Sequence, residues 1–423
     1  MSSSTIALII LACTLVLYMI PKIPLSVTTI LAMLAMAMTG IITYEQAFSG
    51  FANSATILVA GMMLMGQACF ETGLAQQVGN ILYKFVGSNE KFLIVMILII
   101  ASLLAVFLNG ALVVAIMAPI IDSIVFKSGG TITRKHTYFP LGLASTIGNN
   151  LTTISATSMI TAAALIKEAG LGDMSLFAPT VVNLPALVIV IILYMIYGYK
   201  FQQKWFDFPE NKVADVNPVP EKPTGKQKTK MVITAVTIVA VVVALIAGIN
   251  YGACALAGTA VLIATGCIGE KKAFQSISWS TVIIVAGAIG FSKGLEASGA
   301  GELVANTILY RAGALGMSAF GICIVLFILG SLLSNIMSDN ATVAIMVPII
   351  IVMAKQMNVD AIPLVLSACS GIKVAVATPI SVAPMTMVQV AGYRFKDYLK
   401  MGGMVNIIAL VVTSLVIKLV YFM

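Results

Sequence analysis

The sequence predicts an all-α polytopic membrane protein made of two related halves. Three observations carry this: apolar runs of spanning length recur from end to end, the chain repeats itself at a fixed offset, and its basic residues gather in a few loops. Of the 423 residues, 60% are hydrophobic and 9% charged, with a mean hydropathy of +1.06. A soluble domain carries about a quarter charged residues because its surface faces water. Runs of about 20 apolar residues are what a bilayer requires of a helix.

The first run, Thr5–Ile20, lacks a basic leader and a small-residue cleavage site, and Pro21-Lys22-Ile23-Pro24 turns directly into a second apolar run. It reads as a first transmembrane helix rather than a signal peptide. The formal charge of +8 does not point to nucleic acid, because the lysines lie in loops between spans, where they set topology. Cys13, Cys69, Cys254, Cys267, Cys323 and Cys369 fall in or beside apolar segments and form no CxxC pair, so they read as small core residues. His136 is the only histidine, which argues against a histidine-based metal site or catalytic relay.

The repeat is visible in punctuating residues. Ala47-Phe48 recurs as Ala273-Phe274, and at the same offset of 226 Ser54, Gly61, Gly73 and Asn80 meet Ser280, Gly287, Gly299 and Asn306. Val114-Ala115-Ile116-Met117-Ala118-Pro119-Ile120-Ile121 returns as Val343-Ala344-Ile345-Met346-Val347-Pro348-Ile349-Ile350. Apolar helices match one another easily; Gly, Pro, Asn and Ser in register do not. The Lys- and Pro-rich segment 201–230, the stretch Lys127–His136, Lys271-Lys272 and Arg394/Lys396/Lys400 read as cytoplasmic. Counting spans between these anchors requires residues 92–126 to enter and leave on one side, as a re-entrant hairpin turning near Asn109-Gly110. Its counterpart, 317–352, turns near Ser338-Asp339-Asn340, and the halves come out inverted. The expected organisation is a first repeat over 1–200, a cytoplasmic linker over 201–230 and a second repeat over 231–423. The segments Gly73–Val86 and Gly301–Ala312 read as interfacial amphipathic helices.

Broken helices survive in hydrocarbon only against protein or a water-filled cavity. Besides the two tips, breaks are expected at Gly148-Asn149-Asn150-Leu151-Thr152-Thr153 and at Ala377-Thr378-Pro379, within otherwise spanning segments 141–167 and 362–389. Paired interruptions in two halves point to a transporter's binding site: half-helix N-termini suit an anion, exposed carbonyls and hydroxyls a small cation. Intramembrane ionisable groups are costly and therefore informative. Asp339 and Lys373 become neighbours if the tip and the break face each other. Lys293, Glu296 and Glu71 read as snorkelling residues near span ends, and Asp122 lies at the mouth of the first hairpin.

These residues resemble a family. Ala47-Phe48-Ser49-Gly50-Phe51-Ala52-Asn53, Ile277-Ser278-Trp279-Ser280, Ser338-Asp339-Asn340-Ala341-Thr342 and Gly392–Lys400 are similar to motifs of the divalent anion/sodium symporters, which carry dicarboxylates, citrate or sulfate. The wider ion transporter superfamily also includes arsenite and sodium/proton carriers. The likeness covers about residues 40–410. It implies an elevator-type homodimer in the plasma membrane, with a scaffold within 1–42 and 231–269 and a moving domain of hairpins and broken helices. It implies a secondary carrier of a small anion, a di- or tricarboxylate, with no enzyme activity and no cofactor beyond sodium ions. Carried over, the substrate would meet Asn109, Gly110, Asn149, Asn150, Thr152, Ser338, Asn340, Thr378 and Pro379. The coupling ion or a compensating charge would involve Asp339, Lys373, Gly148, Thr153 and Ala377. Four departures stand out: Asn-Gly-Ala replaces Ser-Asn-Thr at the first tip, Gly148-Asn149-Asn150 replaces Gly-Gly-Thr at the first break, Met159 and Met385 replace the closing Asn of each break, and Lys373 replaces a small neutral residue. A fixed ammonium supplies the charge of one bound cation, so sodium, proton and counter-anion coupling all stay open, as does cation/proton antiport through Asp339 and Lys373.

Overall fold

In the computed structural model the described residues are 1–20, 22–74, 77, 89–209, 225–314, 316–379 and 382–423, and among them every regular element is helical. The first half comprises α1 (Ser3–Tyr18), α2 (Leu25–Met38), α3 (Tyr44–Phe48) with a 3-10 turn (Ser49–Ala52), α4 (Ser54–Thr72), α5 (Glu90–Ala105), α6 (Gly110–Lys127), α7 (Arg134–Gly148), α8 (Thr157–Glu168), α9 (Ala178–Leu193) and α10 (Tyr199–Trp205). The second comprises α11 (Gly225–Ile246), α12 (Tyr251–Ala264), α13 (Glu270–Gln275), α14 (Trp279–Ala297), α15 (Ala300–Ala314), α16 (Ala319–Ser334), α17 (Asp339–Met357), α18 (Ala361–Lys373), α19 (Ala383–Met387) with a 3-10 turn (Val388–Ala391), and α20 (Phe395–Tyr421). Among the described residues, seven helical stretches are long and apolar enough to cross a membrane.

The same local chemistry builds both halves. α2 and α12 each have 14 residues, α4 and α14 each 19, and α5 and α16 each 16. At each tip a polar side chain stops one helix and starts the next. Asn109 caps α6 by accepting from Ala111 N at 2.9 Å, and Ser338 caps α17 by accepting from Ala341 N. These caps satisfy backbone donors that the helix itself leaves open. Pro119 in α6 and Pro348 in α17 then interrupt the ladder at matching places.

Packing is reciprocal between the halves. α2 lies on α14 while α12 lies on α4, and α8 lies against α17 while α19 lies against α6 and α7. The approach at α14 is close: a Cβ on Gly50 would meet Ala286 O at 1.9 Å, and one on Gly290 would meet Ala47 O at 2.1 Å. Only glycine permits this contact.

Several boundaries differ from the sequence expectation. α7 begins at Arg134, well before residue 141, because Thr133 caps it and accepts from His136 N. The linker is shorter than 201–230: α10 runs to Trp205 and α11 starts at Gly225. Phe206 and Phe208 are buried beside Phe139 and Tyr393, with Phe206 and Tyr393 ring centres 5.0 Å apart. The expected broken segment 362–389 divides unevenly: α18 ends at Lys373, and α19 has only five residues before its 3-10 turn closes at Gly392. Gly301–Ala312 lies within α15; of Gly73–Val86, residues 75, 76 and 78–86 lie outside the described residues. Five cysteines are buried, but Cys13 is exposed and not a core residue.

Candidate functional site

The second tip holds a close, buried ion pair. Asp339 is the first residue of α17 and Lys373 the last of α18. Lys373 Nζ donates to Asp339 Oδ2 at 2.8 Å, and Ser334 Oγ donates to Oδ1 at 2.7 Å. Both residues are only 8% exposed. A carboxylate suits the N-terminal turn of a helix and an ammonium the C-terminal turn, so the two helix ends reinforce the pair. Asn340 follows, half-buried, and Ser338 is spent on the cap.

The first break is polar and neutral. Thr152 Oγ1 donates to Val106 O at 2.9 Å, tying the break to the first tip, and Thr153 N donates to Leu176 O at 3.1 Å. Ser155 Oγ donates to Asn149 O, and Asn183 Nδ2 on α9 donates to Asn150 O at 3.2 Å. Asn149 Oδ1 and both side-chain amide atoms of Asn150 are buried without a hydrogen-bond partner in the protein. Such groups take partners from water or a ligand. Gly148 packs so tightly that a Cβ would lie 2.5 Å from Ser102 O. Gly110 is equally confined: its Cβ would lie 2.7 Å from Ser145 O and 2.9 Å from Pro384 Cγ. Thus the first tip touches the second broken segment directly.

The second break is mostly apolar. Ala377 and Thr378 are half-buried and Pro379 is buried, its carbonyl accepting from Thr386 Oγ1 at 2.5 Å. A Cβ on Gly402 would strike Val376 O, so α20 lies directly on this break. The Asn406 amide sits against it too. In one orientation its Oδ1 accepts from Val376 N; turned over, its nitrogen donates to Val374 O and Gly402 O.

Of the sequence-predicted residues, Asp339 and Lys373 are in contact, Thr152 reaches the first tip, and Gly110 reaches the second broken segment. A cavity of about 400 Å³ opens on Asn109, Ser155 and Thr157, with Met62, Phe107 and Met387 among its walls. Among the described residues, Ser338, Asp339, Asn340, Lys373, Thr378 and Pro379 do not line it. The residues read as snorkelling are partly exposed, and each has a partner of opposite charge. Lys293 pairs with Glu168 at 3.3 Å, Glu296 with Lys355 at 2.9 Å and Glu71 with Lys272 at 2.8 Å. Asp122 accepts a two-pronged contact from Arg134 and a hydrogen bond from Tyr138. At the foot of the first hairpin, Glu90 accepts from Thr133 and Tyr199 and lies 3.0 Å from His136 Nδ1. Burial alone would push the Glu90 carboxyl up, but the contacts with His136, Tyr199 and Thr133 outweigh it and hold the group below the ordinary glutamate value.

The family model for citrate transporters matches residues 15–371. The chain belongs to the citrate transporter family. An uncharacterized transporter of Synechocystis is 27% identical over 205 residues, which are 48% of this chain and 33% of that protein. The first relatives are thus matched over a third or less of their own length. Two others are matched almost throughout. An uncharacterized transporter of Haemophilus influenzae is 21% identical over 96% of this chain and 90% of its own. The sodium-dependent dicarboxylate transporter SdcS of Staphylococcus saprophyticus is 21% identical over 95% and 82%. The YdaH transporter of Alcanivorax borkumensis shares the fold, with a TM-score of 0.65 at 15% identity, covering 90% of this chain and 87% of that one.

Membership of the citrate transporter family makes this chain one of a family of carriers rather than of enzymes. Within it, the structure adds residues that sequence reasoning did not single out. Asn183 and Thr180 on α9 close the first break, Thr180 donating to Leu151 O. Ser334 supports Asp339, and Asn406 braces the second break. The available signal was the cost of a lone amide in an apolar helix, which applied to Asn183 and Asn406 as much as to Lys373.

Proposed function

We propose that the chain is a secondary active carrier of a small anion, a di- or tricarboxylate. Its two halves act as inverted repeats, and the hairpins and broken helices move as one body against a scaffold of α1, α2, α11 and α12 in a plasma-membrane homodimer. One observation carries the reading: at the first break, Asn149 Oδ1 and both amide atoms of Asn150 are buried without protein partners, and Ser155 and Thr157, which follow them, open with Asn109 of the tip on one cavity. Sodium-dependent and sodium/sulfate relatives support a cation as one coupling species.

The pair at the second tip bears on coupling. Lys373 supplies a fixed positive charge where a cation would otherwise sit, and Asp339 neutralises it. On this reading the second half needs no sodium of its own, and coupling runs through one ion, a proton or a counter-anion. Proteoliposomes separate these cases: labelled citrate, succinate or sulfate is offered with a sodium gradient, a pH gradient or an internal counter-anion. Asn340→Ala and Thr378→Ala are expected to abolish uptake; normal uptake by both variants removes these residues from the site. Saturable sodium activation with a Hill coefficient well above one would refute the substituted charge.

The buried Asp339–Lys373 pair also favours a second reading, cation/proton antiport. It predicts that a sodium or lithium pulse moves protons with no organic anion present. Absence of that signal in a preparation that takes up carboxylate excludes it.

A further inference from the structure

Two cavities approach each other from opposite ends of the same pair of helices. One, of about 680 Å³, takes Ser54, Ala55 and Leu58 from α4 and Ala163, Ala164 and Lys167 from α8. The other, of about 400 Å³, takes Val59, Met62 and Met63 from α4 and Thr157 from α8. The first therefore occupies the N-terminal end of α4 and the C-terminal end of α8, and the second the reverse. From Ser54 to Gln67, α4 rises about 20 Å, some two-thirds of a hydrocarbon core of about 30 Å. On α4 the change from one cavity to the other takes a single residue step, Leu58 to Val59. Ile154, in the first break, and Ile160, on α8, line both cavities.

The walls on either side carry polar groups: Asn53 and Thr153 on one, Asn109 and Thr157 on the other. The partition does not. Leu58, Val59, Ile154 and Ile160 are each no more than 4% exposed. A short apolar partition between two cavities with polar walls bars ions, because its side chains offer nothing to replace an ion's water.

We propose that the two cavities are vestibules of one path between α4 and α8, and that Ile154 and Ile160 are its hydrophobic gate. The gate keeps the path closed to small inorganic ions. Shortening both side chains to methyl groups joins the vestibules and lets such ions pass without any carboxylate. The inference extends the carrier reading, but its test uses no carboxylate, so either can fail alone.

The double variant Ile154→Ala/Ile160→Ala is reconstituted in chloride-loaded vesicles, and chloride efflux is followed under a potassium diffusion potential. Efflux at least tenfold above the parent protein is expected. Parent-level efflux from a variant that elutes and melts like the parent overturns the gate. If the double variant does not fold, the vestibules are tested separately with Ala163→Cys and Ala111→Cys, each with Cys13→Ser. A membrane-impermeant thiol reagent is expected to label these two cysteines from opposite sides of the vesicle. Labelling of both from the same side overturns the proposal.

Discussion

The two tips are built alike and charged differently. Each begins its second helix with a side-chain cap and carries a proline at the matching point. Directly after the cap, however, the first tip has Gly110, with no room for a side chain, and the second has Asp339 bound to Lys373. The first break leaves Asn149 Oδ1 and the side-chain amide of Asn150 buried without protein partners, whereas the second is braced by Asn406 and α20. The first break thus leaves amide atoms open to a partner from outside, while the carboxylate at the second tip is met by Lys373 and Ser334. Matching positions in the two halves need not carry matching side-chain chemistry.

The largest test breaks the charged half. Asp339→Asn leaves a buried ammonium without its counter-charge, a loss of about 3–5 kcal/mol in comparable cases. We expect a large fall in the detergent melting temperature and loss of uptake. Asp339→Asn/Lys373→Met removes both charges and is expected to recover most of the melting temperature. A double variant as unstable as the single one would mean that the pair is not the unit that matters.

Gly110→Ala tests the neutral half by volume. Its methyl group would meet Ser145 O and Pro384 Cγ inside normal contact distance, and overpacking of this kind costs about 1–3 kcal/mol. Uptake should fall with stability, because the displaced Pro384 belongs to the second broken segment. Gly403→Ala, which meets no atom within 4 Å, should leave both unchanged. Equal behaviour of the two variants would show that the approach of tip and break is not tight.

Asn150→Leu sharpens the contrast further, since it changes chemistry and keeps size. With no protein partner to lose, the ligand-free melting temperature should stay within a few degrees of the parent. The shift produced by citrate or sodium in the parent, a direct measure of binding, should disappear. A retained shift would remove Asn150 from the site.

How much of this was legible follows from what each feature depends on. The tips were legible because capping residues and prolines act locally, so Asn109 and Ser338 announce themselves within a few residues. Asp339 and Lys373 were legible because charge in an apolar run is costly wherever it sits. Their distance was not, since it depends on α17 and α18 packing alongside each other so that the start of one lies beside the end of the other. Asn183 and Asn406 were overlooked because each is a single polar residue inside an apolar helix, with partners 33 and 30 residues away. The break at Ala377-Thr378-Pro379 was legible from its proline, but the shortness of α19 was not, since its five residues give way to a 3-10 turn that closes at Gly392.

The smallest effect is expected at the hairpin feet, where the halves differ again. The second hairpin starts at a simple cap, Ser318 accepting from Gly321 N. The first is fastened by Glu90, which binds Thr133 and Tyr199 and lies beside His136. Glu90→Gln keeps the shape and weakens these charge-assisted contacts, for an expected loss of about 1–2 kcal/mol at neutral pH. The sign with pH is fixed by the depressed Glu90 carboxyl. Its contribution is fully present above the ordinary glutamate pKa of about 4.3 and is lost as pH falls through the lower value in the fold. The melting-temperature gap between parent and variant should therefore close on acidification below about pH 4. A gap that persists unchanged to pH 3 would mean that the contacts at this foot do not depend on the charge, and that the feet of the two hairpins are fastened more alike than their residues suggest.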